Sequence, residues 1–486
     1  MYDYIVVGAG TAGCVIAARL SQDSSAQVLL IEAGGAEPSP EMAVPSAWPA
    51  LMGSAADWGY LTTAQADAGP VAYPRGRALG GSGAINAMAH IRGHRGVYDT
   101  WPEGWRFADL LPCFQRSERA AGRDPALRGT DGPVTVAPVP PQDRHPVAQA
   151  FMAALSAGGC QLTDDLSGQD QEGAAWVDLA IAGGHRVSPA DAYLRPVLHR
   201  PNLTVETDCL VTRLLLTKTG QCTGVEYGRD GIPAQAGAST EVILCTGAVG
   251  SPQLLLLSGI GPAEDLRALG IEPAADLASV GANLQDHPMV LLCYAAGEPL
   301  PRSRYNHGEM YAAVRSPLAG DYPDLHLFPI LAPMAPAGHD APPAGYALVA
   351  AVMAPDSRGS VRLASADARQ APLIDPGFFR AGRDLDRMQA GLEMLREAST
   401  SLPGTELYPG PDGDLRAYPR RAVESYYHAC GTCGLGTVVD SELRVRGMTG
   451  LRVADASVIP VIPNANPNAT VLAIAERAAQ LVASAR

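Results

Sequence analysis

Residues 3–13 read DYIVVGAGTAG, and the fold of the chain is best predicted from these residues. An apolar run leads into Gly8, Gly10 and Gly13, which match the GxGxxG pattern found between a strand and a helix. In that pattern the first glycine permits a tight turn, the second lets the backbone approach a pyrophosphate, and the third lets the helix pack on the strand. N–H groups at the helix start then bind phosphate. The stretch predicts a dinucleotide site.

The residues that follow complete a strand–helix–strand unit. GTAGCVIAARLSQ has helical spacing, and QVLLIEAGG at 27–35 is a second apolar run. Glu32 lies 19 residues after Gly13, where a carboxylate can accept hydrogen bonds from ribose hydroxyls and disfavours a 2′-phosphate. We therefore expect FAD or NAD in preference to NADP, and this unit alone does not separate the two.

Composition and charge exclude several classes of protein. The 486 residues are enough for about three average domains. A net charge of −14 argues against a nucleic acid or an anionic membrane as partner. The longest purely aliphatic run, LLLL at 254–257, is too short to span a bilayer. We expect a cytoplasmic protein with no membrane partner.

The cysteines support the same compartment. The nine cysteines form no regular framework, which is typical of reduced thiols. Cys430 and Cys433 form a CxxC, but no second ligand pair lies at zinc spacing and no thioredoxin-like pattern surrounds them. We predict that they are packing residues and that the protein has no metal site.

Four later stretches of the sequence make the functional prediction more specific. They are GRALGGSGAIN at 76–86, GAVGSPQLLLLSGIG at 247–261, HACGTCGLG at 428–436 and NPNAT at 466–470. In this order, and over nearly the whole chain, they resemble the glucose-methanol-choline (GMC) family of flavin-dependent oxidoreductases. The resemblance implies bound FAD, an alcohol as electron donor, and oxygen or another acceptor that reoxidises the flavin.

The implied fold is α/β. It has a doubly wound, Rossmann-like FAD-binding domain and a discontinuous α+β substrate domain over the flavin. Strand-like and helical patterns change character along the chain and suggest where the domains meet. We assign residues 1–140, 190–290 and 428–486 to the FAD-binding domain, and 141–189 and 291–427 to the substrate domain.

The resemblance also implies the cofactor contacts. Besides the three glycines and Glu32 they are Arg77, Gly80, Gly81, Ser82, Asn86, Ala87, Val211, Asp455, Asn466 and Pro467. Val211 matches a position that meets adenine through its backbone, and Asp455 one that contacts the flavin or ribityl chain. Some members attach FAD through a histidine in the glycine loop. The matching position here is Ile85, so we predict noncovalent FAD; His90 departs from the family, which has an aromatic or small residue there.

Two residues carry the implied chemistry. His428 matches the active-site histidine of the family, and a near-neutral imidazole can accept a hydroxyl proton while hydride leaves the same carbon. Asn466 matches the second active-site position, where an amide can bind the substrate oxygen without competing for the proton. Gly434 and Leu435 replace the usual Arg-Met, so the support of this loop can differ.

Several neighbouring residues have structural interpretations. Ser251 and Pro252 are predicted to start the helix of the second GMC signature as N-cap and N1 residues, and Asn468 to cap the last helix. Asn283 and His287, in VGANLQDHP at 280–288, are predicted to be structural.

Three other functions remain open from the sequence. An NAD-dependent dehydrogenase would share only the first motif. A lyase or photodecarboxylase of the GMC fold would keep FAD, although the presence of both His428 and Asn466 favours oxidation. A non-enzymatic flavin-binding protein is the third. The sequence does not name the alcohol; contacts to it should come from 291–427, with Tyr311, His307 and Glu309 as candidates.

Overall fold

A computed structural model of the chain describes residues 1–229 and 232–484. The α-helices, in chain order, are α1 Thr11–Leu20, α2 Pro40–Ala43, α3 Trp48–Leu51, α4 Ser82–Ile85, α5 Arg95–Tyr98, α6 Phe107–Ser117, α7 Pro146–Ala157, α8 Gly247–Leu257, α9 Ala263–Ala268, α10 Gly382–Ser399, α11 Tyr418–Ala422 and α12 Asn468–Ser484.

The strands fall into two large sheets and several small ones. In chain order they are β1 Tyr2–Val7, β2 Val28–Ile31, β3 Leu61–Gln65, β4 Gly69–Ala72, β5 Glu118–Ala120, β6 Val134–Val136, β7 Gly173–Trp176, β8 Ile181–Ala182, β9 His185–Arg186, β10 Leu203–Glu206, β11 Cys209–Leu216, β12 Cys222–Arg229, β13 Ile232–Leu244, β14 Ile260–Gly261, β15 Ala275–Asp276, β16 Ala282–Leu284, β17 Pro288–Ala295, β18 Met310–Val314, β19 Leu325–Ile330, β20 Gly345–Val352, β21 Gly359–Arg362, β22 Leu373–Asp375, β23 Thr405–Tyr408, β24 Glu424–Ser425 and β25 Leu451–Val453.

The first large sheet has the order β10-β2-β1-β13-β12-β11, with β25 also paired to β13. Its central strands are parallel, whereas β11, β12 and the start of β13 form an antiparallel extension. The central strands β1 and β2 read as continuous apolar runs because helices bury the sheet. The helices α1 and α12 pack on each other beside these strands. This is the predicted Rossmann-like domain.

The second large sheet is antiparallel and has the order β23-β17-β20-β19-β18-β7, with β24 paired to β17. Side chains alternate between two buried faces, as the period of a strand requires. One face, with Val290 and Leu327, packs under α7 and α10. The opposite face, with Met289, Tyr311 and Phe328, is left to face the first domain.

One predicted domain boundary can be compared with the strands, and the other boundaries stay predictions. The boundary between residues 290 and 291 falls inside β17, because Pro288–Ala295 form one strand of the second sheet. A smaller sheet of order β16-β21-β22-β3-β4 also joins strands from both predicted domains. Strand β17 and this smaller sheet are therefore two places where the predicted domains are joined.

The start of α8 differs from the sequence prediction. The helix begins at Gly247 with Thr246 at the N-cap, so the prediction of Ser251 and Pro252 as N-cap and N1 residues is wrong. The cause lies far away in the chain: the Asp455 carboxylate accepts hydrogen bonds from the Gly247 N–H at 2.8 Å and from the Ser251 hydroxyl at 2.5 Å. A remote carboxylate thus supplies the acceptor at the helix start, whereas the Thr246 side chain makes no cap hydrogen bond.

Other segments can be placed directly. The segment DRMQAGLEMLREAS at 386–399 lies within α10, and YALVAAV and GSVR lie in β20 and β21. Asn468 is the first residue of α12, and its side-chain oxygen accepts a hydrogen bond from the Thr11 hydroxyl at 2.8 Å. That contact ties α12 to α1 at the carboxyl edge of the first sheet.

Cys430 and Cys433 lie fully buried in the core of the first domain, and burial raises the pKa of both thiols. Over residues 1–229 and 232–484, no group of three or more His, Cys, Asp or Glu side chains is arranged to hold a metal ion. Among the described helices, none is both long enough and apolar enough to span a bilayer.

Replacement of Gly13 by alanine is expected to damage the first domain. A Cβ at this position would lie 1.8 Å from the carbonyl oxygen of Gly8, so α1 would have to move away from β1. Overpacking of this kind costs about 1–3 kcal/mol or more. Urea unfolding of Gly13→Ala should show a lower midpoint than the parent protein.

The matched control is Gly297→Ala, where the described residues other than Gly297 and its two chain neighbours place no atom within 4 Å of the added Cβ. We expect this variant to unfold with the parent midpoint. Equal midpoints for Gly13→Ala and Gly297→Ala would contradict the close packing of α1 on β1.

Candidate active site

A cavity of about 410 Å³ lies between the two large sheets, a size typical of small-molecule sites. It starts at the carboxyl ends of β1 and β2, where ligands bind in doubly wound sheets. From there it continues to the face of the second sheet that carries Met289, Tyr311 and Phe328, from β17, β18 and β19. The cavity therefore spans both predicted domains.

Backbone lines the first part of this cavity. Gly8 has a φ of 94°, and a Cβ on Gly81 would lie 2.6 Å from the Cα of Gly10, so the two glycine loops touch through their backbones. The N-cap residue of α1, Gly10, makes no side-chain cap hydrogen bond. The first N–H groups of α1 therefore remain available for an anionic ligand.

Glu32 lies at the same end, directly after β2. Its carboxylate accepts hydrogen bonds from the Ala9 N–H at 2.7 Å and the Gly34 N–H at 2.8 Å, which join the two turns that border the cavity. Burial raises the pKa of Glu32 to about 7. Each carboxylate oxygen can accept a second hydrogen bond, so the group can still receive hydroxyl donors from a ligand.

Most of the predicted cofactor residues border the cavity, although their roles stay a prediction. Those that do are Gly8, Gly10, Glu32, Gly81, Ser82, Asn86, Ala87, Val211, Asp455, Asn466 and Pro467.

Three predicted contacts, Gly13, Arg77 and Gly80, lie outside the cavity wall. Gly13 packs beneath Gly8, and the Gly80 N–H donates to the Ala9 carbonyl at 2.7 Å. The Arg77 guanidinium lies over the Trp58 ring, 5.1 Å from its centroid. These three residues support the wall without bordering the cavity themselves. The neighbouring Arg75 does border the cavity, although the sequence analysis did not predict it.

His428 lies at the other end, on a segment that pairs with the residues around β16 and β17. Gln285 and Cys430 exchange backbone hydrogen bonds at 3.0 Å, and Pro288 pairs with Ser425. This antiparallel register places His287 against His428, with their Nδ1 atoms 2.8 Å apart. His287 was predicted to be structural, and it contacts the proposed catalytic residue directly.

Asn466 completes this group of side chains. Its Nδ2 lies 3.2 Å from the Nε2 of His428, while its Oδ1 is buried with no hydrogen-bond partner among the described residues. The main-chain N–H of His428 donates to Asp286 at 2.8 Å, which fixes the loop. The sequence prediction that His428 and Asn466 share one site agrees with this geometry.

The electrostatics keep the imidazole uncharged. Burial, followed by the fields of His287, His326 and Arg75, holds the pKa of His428 well below its ordinary value of 6.5. Two neutral imidazoles at 2.8 Å share one proton between their Nδ1 atoms. When His428 donates that proton, its Nε2 carries a lone pair that can accept from Asn466 or from a ligand in the cavity.

Of the candidate substrate contacts, one borders the cavity and two do not. Tyr311 borders the cavity, whereas the Nε2 of His307 lies 2.9 Å from the Ser46 carbonyl oxygen and Glu309 is fully buried away from it. His90 is also outside the cavity, with its Nε2 2.9 Å from the Glu118 carboxylate in a buried ionic cluster. His90 therefore has a structural partner.

Comparison with known proteins identifies the family. Family models described as GMC oxidoreductase match residues 2–289 and 355–475. The chain belongs to the GMC oxidoreductase family. The predicted resemblance and the α/β fold class are confirmed, and the match argues against the NAD-dependent alternative.

Individual GMC relatives cover the whole chain. It is 37% identical to the oxygen-dependent choline dehydrogenase of Photobacterium profundum, over 99% of this chain and 93% of the relative. It is 36% identical to the pyridoxine 4-oxidase of Microbacterium luteolum, over 98% of each. The crystal structure of a pyridoxine 4-oxidase from Mesorbium loti superimposes with a TM-score of 0.94 at 35% identity, covering 99% of both chains.

GMC oxidoreductases use FAD, and the residues present here fit that cofactor. The backbone contact between Gly10 and Gly81 leaves no side chain where a pyrophosphate would lie, and the uncapped start of α1 offers N–H donors. Glu32 offers an acceptor for ribose hydroxyls. These residues would hold the nucleotide half of FAD, whose flavin would supply the redox chemistry.

Proposed function

We propose that this GMC oxidoreductase oxidises the CH–OH group of a small alcohol to a carbonyl, with His428 and Asn466 as its catalytic pair. One observation carries the proposal: a neutral histidine and an amide with a free oxygen meet 3.2 Å apart in the buried end of the cavity. The names of the relatives, a choline dehydrogenase and a pyridoxine 4-oxidase, support an alcohol as substrate.

The chain's own groups have distinct tasks. His428 Nε2 accepts the hydroxyl proton, and the Asn466 Nδ2–H group donates to the oxygen as negative charge develops on it. His287 Nδ1 accepts from the Nδ1–H group of His428, which orients the ring and spreads the charge that it gains. When bound, FAD supplies the acceptor for the hydride that leaves the carbinol carbon.

The simplest test adds alcohols anaerobically to the purified yellow protein and follows bleaching of the flavin absorbance. Bleaching by a primary alcohol, with appearance of the aldehyde, supports the proposal. Admission of air then separates an oxidase, whose colour returns at once, from a dehydrogenase that needs another acceptor. A flavin that no alcohol reduces would favour the lyase, the photodecarboxylase or the non-enzymatic protein.

The pH dependence of flavin reduction should be flat where an ordinary histidine would titrate. At pH 6.5 an ordinary imidazole is half protonated, but His428 stays neutral there because burial lowers its pKa. Because protonation of Nε2 would block proton acceptance, the reduction rate is expected to keep its value from pH 8 through pH 6.5. A fall to half near pH 6.5 in stopped-flow traces would show that the imidazole is not desolvated.

We infer that FAD is held without a covalent bond. Ile85 borders the cavity, and its aliphatic side chain lies in a small cluster with Met42, Leu51 and Ala78, so it has no nucleophile for the flavin. Acid precipitation is expected to release essentially all of the yellow colour into the supernatant. Colour retained in the washed pellet would mean that another side chain forms the link.

The cysteines favour a reducing compartment, and we infer that the protein works in the cytoplasm. No disulfide joins any of the nine cysteines, all of which lie in the described part of the chain, and eight of them are buried. Fractionation of the source cells followed by immunodetection tests this inference; recovery outside the cytoplasmic fraction would contradict it.

A further inference from the structure

Asn86 directly follows α4 and contributes its amide to the cavity wall. The side-chain oxygen accepts hydrogen bonds from the Met88 N–H at 2.9 Å and from Arg186 Nη1 at 3.0 Å. Because both neighbours are donors, the positions of the amide oxygen and nitrogen are unambiguous. Asn86 borders the cavity, and within the described part of the chain no residue accepts a hydrogen bond from its Nδ2. The Nδ2–H donors are therefore left for a ligand.

Distant side chains hold the backbone around this amide. Met88 is buried and has a φ of 58°, in the left-handed region that residues with a Cβ rarely adopt. The Asn306 amide donates to the Ala87 carbonyl at 2.6 Å, and Arg186 donates to the Asn86 carbonyl. A backbone conformation of this kind persists only where its surroundings fix it. Arg186 therefore holds both the main chain and the side chain of Asn86.

Arg186 reaches this turn from the short strand β9, 100 residues further along the chain. Its Nε donates to the Met42 carbonyl at 2.7 Å, so the guanidinium also joins α2 to the turn. The residue is 4% exposed, and its Nη2 has no hydrogen-bond partner among residues 1–229 and 232–484. All of the acceptors that this side chain has are oxygens of uncharged amide groups.

The Arg186 cation has no paired anion among the described residues. Burial lowers the pKa of Arg186 to about 10, so the guanidinium is still charged at neutral pH. The field of Asp191 opposes this shift, but the Asp191 carboxylate binds Arg195 at 3.0 Å and the Ser188 hydroxyl at 2.6 Å. A buried charge without a counter-ion is costly. An unpaired positive charge thus lies behind an amide of the cavity wall.

This charge can act on a ligand through the amide. Nη1 of Arg186 binds the amide oxygen of Asn86, and consecutive hydrogen bonds polarise one another. The Nδ2–H group thereby becomes a stronger donor, which stabilises a ligand more as that ligand gains negative charge. A flavin gains electrons on reduction, and hydrogen bonds and charges near its ring tune its electron affinity.

Resting on the predicted contact between Asn86 and the flavin in the proposed alcohol oxidation, we propose that Arg186 is a positioning residue that raises the reduction potential of bound FAD. It orients and polarises the Asn86 amide, so that the electron-rich flavin is stabilised more than the oxidised flavin. The cofactor thereby becomes a stronger acceptor for the two electrons that leave the carbinol carbon as hydride.

The test measures the reduction potential of the flavin in the holoenzyme, by slow reduction with dithionite beside a reference dye of known potential. Arg186→Met keeps the length of the side chain and removes its charge and its donors. We expect this variant to shift the reduction equilibrium about tenfold towards the oxidised flavin. For a two-electron couple this lowers the potential by about 30 mV.

The matched control is Arg200→Met. Arg200 also binds uncharged oxygens, those of the Ala18 carbonyl at 2.7 Å and the Ser21 hydroxyl at 2.8 Å, and it does not border the cavity. Its loss should leave the flavin potential at the parent value. A parent potential in Arg186→Met at full FAD occupancy would overturn the proposal.

A double variant tests whether Arg186 acts through the amide. In an Asn86→Ala background, Arg186→Met should shift the equilibrium by less than about threefold, because the group that transmits its effect is absent. An undiminished tenfold shift in that background would show that Arg186 acts by another route, and the positioning role would have to be abandoned.

Asn86→Asp decides the question if Arg186→Met does not fold. Aspartate keeps the acceptor for Met88 and gives Arg186 a paired anion, while its second oxygen replaces the Nδ2–H donors with a negative acceptor. The equilibrium should shift at least about tenfold towards the oxidised flavin, a fall of about 30 mV or more. A parent potential in this variant would overturn the proposal.

The dye equilibrium needs no alcohol. A flavin that no alcohol reduces would end the proposed oxidation and leave the measured potentials valid, so the two proposals fail separately.

Discussion

Replacement of His428 by alanine is expected to slow flavin reduction by about 10²–10⁴-fold while the protein stays yellow. The imidazole is the proposed proton acceptor next to Asn466, and the glycine loops and Glu32 that would hold the nucleotide lie elsewhere. The measurement is the stopped-flow rate of anaerobic flavin reduction by a good alcohol. Overall turnover is less informative, because reoxidation can limit it.

The control for this variant is His199→Ala, which removes an exposed histidine outside the cavity and should leave the reduction rate unchanged. Asn466→Ala should also slow reduction. Because both side chains act on one oxygen, the double variant should lose less than the sum of the two single losses. Parent-like reduction in His428→Ala at full FAD occupancy would make the histidine structural and remove the proposed mechanism.

Among the single substitutions proposed, Glu32→Ala is expected to weaken the binding of FAD most. The carboxylate links Ala9 and Gly34 on the two turns beside the proposed nucleotide end, and we propose it as the acceptor for ribose hydroxyls. Hydrogen bonds to a charged group contribute about 1.5–3 kcal/mol each. We therefore expect the dissociation constant of FAD to rise by about 10- to 100-fold, measured by titration of the apoprotein with quenching of flavin fluorescence.

The Glu32 carboxyl should also make the binding of FAD depend on pH. Its pKa in the cofactor-free protein is raised to about 7 by burial, so the carboxyl is largely protonated below that pH and accepts less strongly. FAD affinity of the parent protein should rise from pH 6 to pH 8, while that of Glu32→Ala should change much less. Glu37→Ala, which removes an exposed acid five residues away, should behave as the parent. Equal affinity in all three proteins would refute the ribose assignment.

Local patterns were sufficient for the nucleotide end of the site. Gly8, Gly13 and Glu32 lie within one strand–helix–strand unit, where Gly13 packs against the Gly8 carbonyl and Glu32 accepts a hydrogen bond from the Ala9 N–H. The start of α8 was predicted wrongly because its capping acceptor, Asp455, lies more than 200 residues away. A local reading of Ser251 and Pro252 had no access to that carboxylate.

The amino-acid sequence was thus enough to predict the Rossmann-like fold, because short-range patterns encode backbone geometry, and its motifs were enough to predict the family by resemblance. The pair His428 and Asn466 followed from that resemblance, and its catalytic role stays a prediction. The surroundings of the pair could be read only from the folded chain. His287 reaches His428 through an antiparallel register between segments about 140 residues apart, and Phe328 reaches Tyr426 from a different strand of the second sheet. Contacts between side chains of different strands leave no signal in the local sequence. The alternation of residues along a strand indicates which side chains are buried, but it does not indicate which distant residue each of them contacts.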